Sequence, residues 1–202
     1  MKIGFLLVTA FFCLLAGGQP VDSIFAKYRV NKTLPSGYIA EFSIALSYFP
    51  ELRNTRIVVR KKNIRTTLSA RPAFGSCFKK KENRTYYITI DTLHNKKHGL
   101  FEDLHTIARV GVIGHELSHI SEYSKRGFFG MIGYGIAYGI CRRRIEHRTD
   151  RITIEHRMGW QLHDYAVIAF NPDVTGKKFV RYKKRYYYTP EELLELIKKS
   201  DK

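Results

Sequence analysis

Inside the largely apolar run Ile107 to Ile120 the chain reads Gly114-His115-Glu116-Leu117-Ser118-His119. This is the HExxH pattern. On a helix, His115 and His119 stand one turn apart on one face, so both imidazoles can reach a single metal ion. Glu116 then lies beside the open metal position, where a carboxylate can take a proton from metal-bound water. The plainer reading is a chance match on a helix with two surface histidines. The flanking Val110, Val112, Ile113, Leu117 and Ile120 weigh against it, because they predict a buried helix, and buried histidines need partners that a metal would supply.

Two histidines are not a complete site. One zincin class takes a third histidine six residues after the second, with a glycine between; Lys125 and Glu122 occupy those positions, which excludes that class. Another takes a glutamate from a second helix. Ile145-Glu146-His147-Arg148-Thr149-Asp150 follows 26 residues after His119 (146 − 119 − 1), room enough to end one helix, turn and return. Glu146 and Asp150 are one turn apart and share a face. Glu146 can ligate the metal, and Asp150 can accept the free ring N–H of a ligand histidine and fix its tautomer. Acidic pairs at this spacing are common on solvated helices, so the signal lies in its place after HExxH.

On His115, Glu116, His119, Glu146 and Asp150 the chain resembles the gluzincin metallopeptidases, and within them the compact group around the CAAX prenyl endopeptidase-like family. A weaker likeness runs from about Tyr48 to Trp160, in the order strands, HExxH helix, Glu helix. It departs at Thr149, where that family often has Ala. The resemblance implies a zinc peptidase with one Zn2+ per chain, held by His115, His119 and Glu146, with Glu116 as general base. It also implies that the strand before the HExxH helix is an exposed edge on which substrate backbone adds; an interior strand without that role is the alternative.

The elements that must position these residues form an α+β domain: a small mixed or antiparallel sheet, packed on the HExxH helix and a following Glu-donating helix. Residues 37–49 have apolar positions at helical spacing, closed by Pro50. Residues 55–60, 64–70 and 84–92 read as strands, the last being the strongest. The HExxH helix is expected from about Leu100 to Lys125, with Glu102 and Asp103 in its first turn and Gly111 and Gly114 permitting close approach by another backbone. Residues 128–141 are uncharged and glycine-rich. They read as a buried or cleft-lining connecting helix, with a flap and a membrane-surface element between basic flanks as alternatives. The Glu helix follows from about Arg142 to Met158. Beyond Glu146, Arg157 and His156, and Tyr165 on the next helix, are candidates to bind substrate or the oxyanion. Thr189-Pro190-Glu191-Glu192 is a capping box opening a last helix to about Lys199.

The 202 residues carry a net charge of +17, with 44% hydrophobic residues. That suits one globular domain and favours anionic partners. Met1-Lys2, the apolar run Ile3 to Ala16, and Ala16-Gly17-Gly18 predict a secretory signal over residues 1–18. A zincin-like domain over 19–170 and a basic extension over 171–202 complete the expected organisation. Export leaves Cys77 and Cys141, as a disulfide or as two free thiols. No helix-turn-helix, zinc knuckle or aromatic RNA-binding signature is evident, and export argues against nucleic acid. The expectation is therefore an exported, periplasmic or extracellular zinc endopeptidase acting on a peptide or protein. The rival is a catalytically silent zinc domain that binds anionic membrane or envelope polymers through its basic surface.

Overall fold

The computed structural model describes residues 26–92 and 101–200. The expected signal segment, residues 1–18, lies outside the described residues. The described residues form an α+β arrangement in which a small mixed sheet packs on helices. The strands are β1 (Lys32–Thr33), β2 (Arg56–Lys62), β3 (Leu68–Pro72) and β4 (Thr85–Asp91), in the spatial order β1-β2-β4-β3. β1 pairs parallel with β2, β2 parallel with β4, and β3 antiparallel with β4. Side-chain alternation builds one buried face. Ile57 sits opposite Tyr86, Val59 and Ala70 opposite Ile88, and Leu68 opposite Ile90, all buried.

That order corrects one expectation. β4, the strand expected at the exposed edge, is interior, hydrogen-bonded on both sides. The edge beside the HExxH helix is β3. Strand length and β-branched content marked β4 as the best strand, and such strands tend to take central positions where both faces are covered.

The helices are α1 (Ile39–Ser47), α2 (Thr106–Lys125), α3 (Phe128–Ile140), α4 (Arg142–Glu155), α5 (Gly159–Ala169), the short α6 (Pro172–Thr175), α7 (Lys177–Tyr186) and α8 (Pro190–Ser200). α2 is central, packing against α1, β3, α4 and α5. It begins at Thr106, later than expected. Glu102 and Asp103 fall in a preceding 3-10 turn, Phe101–Asp103, not in its first turn. Arg109 holds this turn down, donating to the carbonyls of Phe101 and Glu102 and to Glu41 Oε1. At Gly111 a Cβ would lie 2.0 Å from the Gln161 carbonyl oxygen, so the backbones of α2 and α5 meet there and only glycine fits.

α3 carries both a buried and an exposed face. Met131 and Tyr134 are buried, whereas Phe129, Ile132, Ile136 and Ile140 are exposed, so the expectation of a buried connector holds for its inner face only. Arg84, itself buried, ties the α2–α3 junction to the sheet by donating to the Arg126 carbonyl at 2.6 Å. Two residues past the end of α4, Arg157 takes a left-handed φ of 62°. Its N–H returns to the Ile154 carbonyl, and that of Met158 to Thr153.

The C-terminal segment folds back over α4 and α5. Leu193 and Ile197 of α8 are buried there. Its start is a reciprocal cap: Glu192 N–H donates to Thr189 Oγ1, and Thr189 N–H to Glu192 Oε2. Cys77 and Cys141 are both free thiols. Among the described residues, no helix is long and apolar enough to cross a membrane.

Candidate metal centre

His115 and His119 project from one face of α2 towards α4, and both are buried. Glu146, in the first half of α4, is fully buried opposite them. Ser118 on α2 and Thr153 on α4 bond at 2.9 Å and register the two helices. The donor atoms of His115, His119 and Glu146 all lie within 4.8 Å of one another, and this buried group can hold a metal ion. His115 Nε2 is 3.3 Å from Glu146 Oε2, and His119 Nε2 is 3.2 Å from the same oxygen. Two ligands about 2.0–2.1 Å from a tetrahedral ion stand about 3.3 Å apart, so the spacing fits.

The outer nitrogens define what the inner ones can be. His115 Nδ1 donates to Asp150 Oδ1 at 2.8 Å. Thr149 donates its hydroxyl to the Ile145 carbonyl at 3.0 Å and faces His119 Nδ1 at 3.4 Å. Each histidine thus has an acceptor on Nδ1, which leaves its Nε2 lone pair aimed at an anionic oxygen. Such a group is stable only with a cation or protons between its members.

The remaining carboxylate oxygen of Glu146 is occupied from the other side. Tyr138 of α3 donates to Oε1 at 2.6 Å, Tyr187 at 3.1 Å, and Arg142 Nε at 3.3 Å. One oxygen faces the histidines and the other is saturated by protein donors, which suits one-oxygen ligation. Burial opposes ionisation of Glu146, but hydrogen bonds from His115 and His119, and their charge, hold its carboxyl well below the ordinary value. Burial likewise opposes charging of His115; hydrogen bonds to Asp150 and Glu146 outweigh it and raise its pKa to about 10. Burial and the charge of Glu146 raise the Tyr187 phenol well above its usual value, so it remains a donor at neutral pH.

Glu116, also buried, lines a cavity of about 30 Å³ together with His115, Asp150, Tyr165, Lys183 and Tyr187. That is room for about one water molecule.

The other candidates lie as follows. Tyr165 lines the cavity and donates to Thr67 Oγ1 at 3.1 Å. His156 stacks on Phe49 at 4.1 Å and meets Glu51 Oε1 at 3.0 Å, tying the end of α4 to the turn before β2. Arg157 is exposed at the left-handed stop of α4. Sequence reasoning does not assign Tyr138, Lys183 or Tyr187 to the site: Tyr138 lies on a different helix from Glu146, and Lys183 and Tyr187 come from the distant tail. No protein-family model matches the chain, and no curated protein or solved structure matches it either.

Proposed function

We propose that this chain is a zinc-dependent endopeptidase of gluzincin type, akin to the CAAX prenyl endopeptidase-like group and acting outside the cytoplasm on a peptide or protein. The observation that carries the reading is the convergence of His115 and His119 Nε2 on one Glu146 oxygen, at 3.3 and 3.2 Å, with Glu116 in the adjoining cavity. Two imidazoles and a carboxylate, with one position left open, are the donor set of a catalytic rather than a structural zinc.

Zinc bound there would supply Lewis acidity and bring the pKa of a water to about 7. The chain's own residues do the rest. Glu116 would be the base, accepting a proton in the adjoining cavity and returning it to the leaving amine. Asp150 and Thr149 hold the imidazoles in their ligating tautomer. Lys183, a buried cation lining the cavity, is the donor for negative charge on the carbonyl oxygen in the transition state. Thr67 and Leu68, at the start of the edge strand β3, also line the cavity. In this reading the substrate backbone pairs there rather than with β4.

One observation favours the rival reading of a metal domain without turnover. Tyr187 and Tyr188 are among the residues lining the cavity, which holds about 30 Å³ as it stands, too little for a peptide to reach Glu116 without rearrangement. Incubation with a peptide library and with an unfolded protein separates the two readings. Stoichiometric zinc by elemental analysis, lost in His115→Ala, together with cleavage that Glu116→Gln abolishes while keeping its zinc, is the expected result. Cleavage by Glu116→Gln at the wild-type rate would sink the base assignment, and a full zinc complement without any cleavage would favour the silent domain.

A further inference from the structure

α3 carries no charged residue along Phe128–Ile140. Its inner face packs: Met131 and Tyr134 are buried, and Tyr138 reaches Glu146. Among the described residues its outer face packs on nothing. Phe129 is 84% exposed, Ile132 45%, Ile136 60% and Ile140 78%. The intervals of three, four and four residues set these side chains in one stripe along the helix. Phe78, 76% exposed, extends the stripe through its ring contact with Phe128 at 5.1 Å. Beyond its chain neighbours and the helix's own backbone, a Cβ at Gly133, Gly135 or Gly139 would meet nothing within 4 Å, so packing among the described residues does not require those glycines.

Cations frame the stripe. Lys79, Lys80 and Lys81 follow Phe78, and Lys81 Nζ donates to the Lys125 carbonyl at 2.8 Å, which brings that lysine run to the N-terminal end of α3. Arg143 and Arg144, both exposed, follow its C-terminal end.

We propose that this face seats on the surface of an anionic phospholipid bilayer, with Phe129, Ile132, Ile136 and Ile140 in the acyl boundary and the flanking lysines and arginines among the headgroups. A helix of 13 residues is about 20 Å long, too short to cross about 30 Å of hydrocarbon, so it lies along the interface. A second copy of the chain fits poorly. Antiparallel pairing of α3 on itself sets Lys125 against Arg143 and Arg144 of the other copy, and parallel pairing sets like ends together; both meet cation with cation. An anionic plane satisfies both ends at once, and protruding, mostly exposed side chains suit insertion into a soft boundary. Because Tyr138 on the inner face bonds Glu146, docking would hold the metal centre at a fixed depth beside the membrane.

The test places a reporter in the stripe of the full-length protein. Phe129→Trp is made together with Trp160→Phe, which removes the one native tryptophan. It is mixed with phosphatidylcholine vesicles and with vesicles of equal parts phosphatidylcholine and phosphatidylglycerol, each with and without brominated acyl chains. We expect blue-shifted emission and bromine quenching on the anionic vesicles only. Each basic residue near such a surface contributes about a fivefold gain in affinity, so Arg143→Glu with Arg144→Glu should weaken binding at least about 25-fold. Ile136→Asn with Ile140→Asn should abolish quenching while leaving circular dichroism and metal content unchanged. Absence of quenching on anionic vesicles overturns the proposal. So does binding indifferent to both double variants, which would assign attachment to another part of the chain. A dimer in sedimentation that the Ile136→Asn, Ile140→Asn variant dissociates would give the face to a second copy, also overturning it. No readout depends on peptide hydrolysis, so this proposal and the peptidase reading fail separately.

Discussion

Asp150 and Thr149 decide whether the two histidines are ligands or merely neighbours. A carboxylate 2.8 Å from His115 Nδ1 fixes the ring and makes Nε2 more basic. Asp150→Asn keeps the shape but presents either an amide oxygen or an N–H, and the negative charge is gone. Metal affinity should fall about 10–100-fold, read by competition with a chromophoric chelator; unchanged affinity would show that Asp150 does not support the ligand. The Thr149 hydroxyl gives His119 Nδ1 an oxygen at 3.4 Å. The protonation state makes a second prediction. With its pKa raised to about 10 by Asp150 and Glu146, His115 is charged at neutral pH until a metal displaces the proton on Nε2. Metal uptake at pH 7 should therefore release about one proton per ion, and affinity should rise with pH. Calorimetry in buffers of different ionisation enthalpy measures the count, and a value of zero refutes the argument. His115 and His119 were legible as neighbours because two histidines one turn apart on a helix are a local pattern. The Glu146 partner Tyr187 was not, because 41 residues separate them and only the folded chain joins them.

At the scale of elements, legibility followed locality as well. The capping box at Thr189 to Glu192 and the approximate spans of α1, β2, β4 and α4 follow from short-range residue chemistry. The order of β3 and β4 does not, since it depends on which strand inserts beside β2. α7 was hidden for another reason: Phe179, Val180 and Lys183 form its inner face, and a lysine in that face reads as solvent until its ammonium is found 4.0 Å from the Tyr187 ring. Gly111, expected to allow close approach, does so against the backbone of α5. Gly111→Ala would drive a methyl to 2.0 Å from a carbonyl oxygen. The cost should reach the upper end of overpacking, about 3 kcal/mol, lowering Tm by about 6–12 °C; a Tm at the wild-type value would refute the contact. The Glu51–His156 pair joins the turn before β2 to the end of α4. Burial opposes charge on Glu51, but hydrogen bonds from His156 and Ser121 lower its pKa from 4.5 to about 2. His156 is raised above 6.5, its hydrogen bonds to Glu51 and the Ile152 carbonyl outweighing burial. The Glu51 contribution is present above pH 4.5 and lost as pH falls towards about 2. That of His156 is present below 6.5 and lost as pH rises through its folded value. The Tm difference between wild type and Glu51→Gln should thus be largest between pH 4.5 and 6.5, and a flat difference would dissolve the pair.

Across the whole molecule, separate parts of the chain end on one carboxylate. α2 brings the histidines, α3 Tyr138, α4 Glu146 itself, and the tail Tyr187. The tail also lines the cavity, through Lys183, Tyr187, Tyr188 and Leu193, and buries Ile197. A cation that satisfies His115, His119 and Glu146 therefore stabilises the packing of most of the fold, because the unfolded chain does not hold the three donors together. Linkage sets the size of the effect: free metal a thousandfold above Kd adds about 4 kcal/mol, which for a domain of this size is about 8–16 °C in Tm. Treatment with a strong chelator should lower Tm by that amount, and re-addition of zinc should restore it. His115→Ala should melt at one temperature with or without zinc. Glu116→Gln should respond as wild type does, because Glu116 lines the cavity without belonging to the ligand set. Equal zinc-dependent shifts in wild type and His115→Ala would mean that the metal stabilises the chain from somewhere else, and the centre between α2 and α4 would lose its claim.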